Sequence, residues 1–372
     1  MTSGFSKILR KWILSIDQVL LFSVLSLMAI GTWVSVASTP ALAMKLGFSP
    51  FHFVKLHLMV VPIALFIMLF TSFLQARHIR KLSAIGYFVC IILVVGTLFL
   101  GTEIKGARRW LSVLGFSLQP SEFLKPILAV IMAWLIAEQY RDRRFPGILL
   151  AVASVAIVVP LLLLQPDIGM TVIITGTLFA QLFISGLSIS MIIAFVTTAA
   201  SAMFGLYLIF PHFADRIDKF LMKSDDADVY QIQKSIEAFK NGGFFGKGLG
   251  EGVVKTLVPD SHSDFVFSVI GEEYGFMLCI IIIFLFAMFI TRAITRIMKS
   301  SSMFSFSTVF GILFQITAQV LINICTSLNL IPTKGMTLPF ISYGGSSMLA
   351  TAISFGIILS LTKKNNLNQE IL

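Results

Sequence analysis

Three stretches of this chain hold most of the side chains that could do chemistry. The first reads Gly-Thr-Glu-Ile-Lys-Gly-Ala-Arg-Arg-Trp over 101–110, then Gln119-Pro120-Ser121-Glu122-Phe123-Leu124-Lys125. Arg108, Arg109 and Lys125 are cations suited to an anionic ligand. Glu122 and Lys125 stand three apart, so on a helix starting at Pro120-Ser121 they share a face and can pair. The plainer alternative is a structural ion pair with Trp110 as an interfacial anchor.

The second stretch is a long polar segment, about 211–264. Tyr230, Gln231, Gln233 and Lys234 lie among Ile232, Ile236 and Phe239, which are spaced for one apolar face of a short interfacial helix. GGFFGKGLGEG follows at 242–252. Glycine-rich backbone can approach a phosphate, but this run matches no P-loop, and a flexible connector is the plainer reading. The segment closes on Pro259-Asp260-Ser261-His262-Ser263-Asp264-Phe265. Asp264 falls where an apolar run begins, where a helix dipole and free N–H groups favour a charged carboxylate. It is either an ordinary cap or one member of a polar site on that helix face. Ser268 and Glu272 follow near the same helix face, more polarity than a cap requires, and Glu273 and Gly275 extend the break. His262 either assists or bonds locally. In the third stretch, 331–347, Lys334 between Pro332 and Gly335 is best aimed at a ligand. Ser342 belongs to ISYGGSS (341–347), for which close helix packing is the plainer reading.

The elements that position these residues must be membrane helices. Of 372 residues, 57% are apolar and only 12% charged, with 35 phenylalanines and a mean hydropathy of +0.93. A soluble domain carries about 25% charge, so a soluble enzyme, a disordered chain and a fibre are excluded. The three cysteines lie in apolar runs, too few for a disulfide framework or zinc cluster. The net charge of +10 sits in short clusters between apolar runs, which does not indicate nucleic acid. Ten runs match the roughly 20 residues that cross a bilayer: 17–37, 54–74, 83–100, 121–138, 147–164, 168–185, 189–210, 265–291, 304–328 and 343–362. They are too long and evenly apolar for barrel strands. The first run is longer than a signal-peptide core and starts at Asp17, so it is read as a retained span.

The expected fold is an all-α polytopic membrane protein of about ten transmembrane helices. Residues 1–16 form a cytoplasmic N-terminus, 17–362 a single membrane domain with its long extracytoplasmic loop at about 211–264 between helices 7 and 8, and 363–372 a cytoplasmic tail. With both termini inside, the cytoplasmic loops and ends hold fourteen Lys or Arg and the short outer loops five, as basic-residue asymmetry requires. Polar residues at membrane depth are expensive and signal function. Here they gather on the outer side, an arrangement suited to an anionic lipid head group, by transport or by chemistry.

The three stretches together resemble the SEDS family of bacterial envelope proteins (shape, elongation, division, sporulation). Gly106-Ala107-Arg108-Arg109-Trp110 with Gln119-Pro120-Ser121-Glu122 resembles the start of its fourth span. Gln165-Pro166-Asp167 with Gly169 and Thr171 resembles its next outer turn. His262-Ser263-Asp264-Phe265 with Gly271-Glu272-Glu273 and Gly275 resembles its His-Thr-Asp-Phe and Glu-Glu signatures. Pro332-Thr333-Lys334-Gly335 through Tyr343-Gly344-Gly345-Ser346-Ser347 is similar to the FtsW-type division branch more than to the RodA-type elongation branch. Ser263 stands where threonine is usual, and Lys234 where glutamine is frequent.

The resemblance implies a peptidoglycan glycosyltransferase. It would polymerise lipid II at the outer face of the bacterial inner membrane, for septal cell division, beside an FtsI-type class B penicillin-binding protein and other division proteins. Asp264 is then the expected general base. Arg108, Arg109, Lys125 and Lys334 would stabilise charge on the undecaprenyl pyrophosphate. Glu122, Gln231, His262, Glu272 and Ser342 complete the expected substrate contacts. A divalent cation (Mg or Mn) bridging Asp264 or Glu122 to the pyrophosphate is compatible with this chemistry, although no ligand spacing requires one. The rival readings are a lipid II flippase, an elongation-type polymerase and a non-catalytic division scaffold.

Overall fold

The computed structural model describes residues 4–104, 107–113, 116–186, 189–209, 227–258, 260–331 and 335–363. In chain order the helices are α1 (Gly4–Ser15), α2 (Gln18–Ser38), α3 (Pro40–Lys45), α4 (His52–Phe73), α5 (Ala76–Leu100), α6 (Pro120–Arg141), α7 (Gly147–Leu164), α8 (Ile168–Ile184), α9 (Ile189–Ile209), α10 (Ala227–Gly242), α11 (Val266–Ile297), α12 (Met303–Ser327) and α13 (Gly345–Leu361). Each of the ten expected spans has a helix at its place. Among the described residues, α2, α4, α5, α6, α7, α11 and α12 are long and apolar enough to cross a membrane, and α8 and α13 are shorter apolar helices. The protein is a multi-pass membrane protein.

Helix α6 is the central post. Seventy-two per cent of its apolar window is buried, against 22% for α4 and 28% for α5, so α6 touches protein where the other two face lipid. That is why α6 tolerates Glu122 and Lys125: a charge inside a bundle can be paired, whereas one facing acyl chains cannot. Two clusters of apolar side chains meet on it, one shared with α2, α4, α11, α12 and α13, the other with α5, α7 and α8. Large apolar side chains such as Phe66, Phe88, Ile92 and Phe284 stay exposed on the bundle's outside, the surface lipid would cover.

Between α5 and α6 lies a structure that hydropathy does not reveal, a three-stranded antiparallel ribbon of β1 (Thr102–Ile104), β2 (Ala107–Val113) and β3 (Phe116–Leu118). Its strand alternation sends Arg108 and Arg109 to opposite faces. Ser346, at the start of α13, secures the ribbon's exit: its hydroxyl accepts the Gln119 N–H at 3.0 Å and donates to the Ser117 carbonyl at 3.3 Å.

The glycine-rich run is a packed element, not the flexible connector expected. Helix α11 breaks at Gly275 (φ 75°, ψ −176°), a left-handed conformation that glycine adopts without strain. The loop after α10 fills the break. The N–H groups of Lys247 and Gly248 donate to the carbonyls of Glu272 and Glu273, and those of Phe276 and Met277 donate back to Gly243 and Phe244, at 2.9–3.2 Å. Any Cβ on Gly242 would lie 1.9 Å from the Gly271 carbonyl oxygen, so the close approach excludes a side chain.

At the opposite end of the bundle, Asp17 caps α2 by accepting the Val19 N–H at 3.0 Å. It also pairs with Arg292 at 2.9 Å and Arg296 at 2.5 Å, near the end of α11. Trp12 of α1 donates to Ser72 at 3.1 Å and stacks on Phe73.

Candidate active site

At the ribbon end, four charged groups form one electrostatic neighbourhood. Lys125 and Glu122, both buried, approach to 2.7 Å one turn inside α6, as their i,i+3 spacing predicts. The Lys125 ammonium also donates to Gln319 at 3.0 Å, and Gln315 donates to the Lys125 carbonyl at 2.8 Å. Gln319 turns its amide to Thr337, whose hydroxyl meets Ser347 at 2.6 Å. A small cavity beside this chain is lined by Lys125, Gln315, Gln319, Pro339, Thr351 and Ser354, among others.

Arg109 reaches from the inner face of the ribbon to the turn between α7 and α8. It donates to the carbonyls of Gln165 and Pro166 and lies 3.7 Å from Asp167, which caps α8. Burial pushes the Asp167 carboxyl up, opposed by the Arg109 guanidinium, with Glu122 and Lys125 also close enough to act on it. Arg108 is elsewhere. It pairs across the ribbon with Glu103 at 3.2 Å, and both side chains are more than half exposed. Of the expected cations, Arg109 and Lys125 are therefore built into the protein and Arg108 lies on its surface.

Asp264 sits where two loops meet, one residue before Phe265, the residue at the cap position of α11. The Asp264 backbone is fixed from three directions. Asn323 of α12 donates one amide to both the Asp264 carbonyl (2.9 Å) and the Met336 carbonyl (2.6 Å). Ser342 donates to the Ser263 carbonyl at 2.5 Å, and the Tyr343 N–H to the His262 carbonyl at 2.9 Å. Opposite the carboxylate lies Gly335 (φ +59°), where a Cβ would come 3.3 Å from Asp264 Oδ2. The Tyr343 ring is surrounded by Phe53, His57 and His262. His262 thus belongs to this junction through an aromatic contact as well as its backbone.

Two expected head-group contacts are occupied by the fold. Glu272 is fully buried. Its Oε1 accepts Asn241 at 2.7 Å and the Val254 N–H at 2.9 Å, and its Oε2 accepts the Lys255 N–H at 2.7 Å. It does not continue a polar ladder with Asp264 and Ser268; Ser268 bonds back to the Phe265 carbonyl. Ser342 likewise spends its hydroxyl on backbone, accepting the Leu338 N–H at 2.7 Å while donating to Ser263. A carboxylate or hydroxyl saturated this way positions the chain and has little left to offer a ligand. Gln231 lies partly buried on α10, and Lys334 lies outside the described residues.

Sequence reasoning missed Asn323, Gln319, Lys255 and the role of Asp167. Gln315, Gln319 and Asn323 recur every four residues on α12, a polar stripe in an apolar run, and that was the available signal. Among the described residues no group of three or more His, Cys, Asp or Glu side chains converges to hold a metal. Glu122, facing an ammonium, is poorly suited to a hard cation.

The chain matches the family model described as "Cell cycle protein" (FTSW_RODA_SPOVE) over residues 17–367. It is 42% identical to a probable peptidoglycan glycosyltransferase FtsW of Caulobacter vibrioides, with 95% of this chain and 90% of that protein covered. A probable peptidoglycan glycosyltransferase FtsW of Coxiella burnetii is 32% identical, with 93% and 96% covered. Among solved structures, a chain of a peptidoglycan synthase complex superposes with a TM-score of 0.79 at 24% identity, covering 96% of this chain and all of that one. The rod shape determining protein RodA of Thermus thermophilus does so with a TM-score of 0.69 at 24% identity, covering 96% and 99%. Those two structures establish the fold, and with the family match and the relatives above 30% identity they lead to one conclusion: this protein belongs to the FtsW/RodA/SpoVE family of cell cycle proteins.

Proposed function

We propose that the protein is a peptidoglycan glycosyltransferase that polymerises lipid II into glycan strands for septal cell division. The strongest support is its 42% identity, along 95% of its length, to a probable peptidoglycan glycosyltransferase FtsW. The membrane domain of 17–362 lies in the bacterial inner membrane with both termini cytoplasmic. The ribbon end faces outward, supported by the fourteen-to-five distribution of basic residues.

In this reading the 4-hydroxyl of the acceptor sugar attacks the anomeric carbon of the donor. The bond from that carbon to the pyrophosphate oxygen breaks, and undecaprenyl pyrophosphate leaves with the bonding electrons. Asp264 takes the hydroxyl proton. Arg109 and Lys125 face the negative charge that develops on the leaving group, in a site shielded from water where such charges act strongly. Both already have carboxylate partners, Asp167 and Glu122, so pyrophosphate binds by exchange of partners and not by filling a bare cationic hole. Lys334 and Gln231 remain assigned to substrate binding, and Arg108 meets the head group from the ribbon surface. A divalent cation (Mg or Mn) beside Asp264 would add neutralisation of the pyrophosphate, and comparing rates in EDTA and in added Mg or Mn tests for it.

The partner in this reading is a class B penicillin-binding protein, supported by the fold shared with a chain of a peptidoglycan synthase complex. The test is polymerisation of labelled lipid II by purified protein, with and without that partner, for wild type and Asp264→Asn. Strands from wild type alone are expected. Strands from both remove Asp264 as base, and no strands from folded wild type in any condition transfer weight to a lipid II flippase.

A further inference from the structure

We propose that residues 243–253 form a re-entrant loop, with Phe244 and Phe245 seated among the acyl chains of the leaflet at the ribbon end. The inference does not depend on the reaction assigned above. It rests on levels fixed by two helices. Helix α2 has 21 residues, about 31 Å at 1.5 Å per residue, close to the roughly 30 Å of a bilayer core. At one end Asp17 is pinned to Arg292 and Arg296 of α11. At the other the Ala37 carbonyl accepts Lys255 Nζ at 3.1 Å. Phe276 precedes Arg292 by sixteen residues of α11, about 24 Å. Phe276 therefore stands roughly 6 Å short of the hydrocarbon edge, and the Phe244 ring lies 6.5 Å from it.

The surface agrees with that depth. Phe245 is 75% exposed, and Phe244 and Phe276 are each 54% exposed. With Met277, Ile280, Ile281 and Phe284 they form one apolar strip down α11, continuous with the part of that helix that spans the membrane. Acyl chains are the occupant this continuity selects. Irregular backbone at such depth needs partners from protein for its polar groups, and six N–H groups of this segment, those of Gly243, Gly246, Lys247, Gly248, Gly250 and Glu251, have them. Lys247 and Gly248 donate to the carbonyls of Glu272 and Glu273. Gly250 donates to the Glu273 carboxylate at 3.0 Å, and Val254 and Lys255 to that of Glu272. Lys255 Nζ neutralises Glu273. The Glu-Glu pair thereby accepts, through carbonyls and carboxylates, five N–H groups in and just after the loop that water would otherwise serve. Lys247 and Glu251 have stems long enough to reach the head groups from this level.

The test places a fluorophore at Phe245→Cys in a Cys325→Ser background, since Cys90 and Cys279 are buried. A second reporter is Val253→Cys, and an exposed control is Arg143→Cys. The proteins are reconstituted in lipid nanodiscs. Brominated acyl chains are expected to remove most of the fluorescence at 245 while aqueous iodide leaves it, with the reverse at 143. Iodide quenching at 245 and 253 equal to that at 143 places the loop in water and overturns the proposal. Protection of both from both quenchers shows that protein covers them, and overturns it equally.

Discussion

Two buried charge clusters at the ribbon end look alike in composition and differ in what they hold. Around Glu272 and Glu273 the carboxylates accept backbone N–H groups of Gly250, Val254 and Lys255, beside the side chains of Asn241 and Lys255. Around Glu122 and Lys125 the charged groups have side chains as partners: each other, and for the ammonium the Gln319 amide. Side chains can exchange partners by rotating, whereas backbone N–H groups move only when the chain refolds. The first cluster therefore fixes a loop, and the second can reorganise around an incoming anion. Asp264 stands apart from both, at a junction whose backbone is fixed and whose carboxylate faces a glycine.

That contrast can be broken experimentally. The largest effect is expected at Asp264→Asn, a loss of about 10²–10⁴-fold in polymerisation with an unchanged melting transition in detergent. Next, Lys125→Met leaves Glu122 as a buried unpaired charge, which costs about 3–5 kcal/mol of stability. Adding Glu122→Gln should restore most of that stability while polymerisation stays roughly 100-fold down. Recovery of both together would make this pair purely structural. Glu272→Ala strands the donors of Asn241, Val254 and Lys255 at about 1–3 kcal/mol each, so Tm should fall while the rate per folded molecule persists. A normal Tm with lost activity would return Glu272 to the substrate. The smallest effect belongs to Arg108→Ala: its exposed pair contributes about 0–1 kcal/mol, and its kinetic loss should be smaller than that of Arg109→Ala.

Much of this was legible in the sequence. All ten apolar runs proved helical, because a bilayer-length stretch leaves the backbone few alternatives. The Glu122–Lys125 pair followed from its spacing. The ribbon did not, since strands of three, seven and three residues carry too little alternation to stand out. Nor did the fates of Glu272 and Ser342. A motif shows that a carboxylate or hydroxyl is needed, but the groups that capture them lie 18 and 79 positions away, and only the fold brings those together. The glycine-rich run misled for a related reason. Glycine marks both loose chain and chain pressed against other backbone, and composition does not distinguish them.

The Asp17 clamp has a consequence in time. Its carboxylate is synthesised 275 residues before Arg292, so at 5–20 residues per second the first span waits on the order of tens of seconds for its counter-charge. Until then only the helix's own leading N–H groups, those of Val19 and Leu20, can hold it. The oldest part of the chain is locked by one of the youngest, and assembly of the bundle closes as a ring, not as a stack.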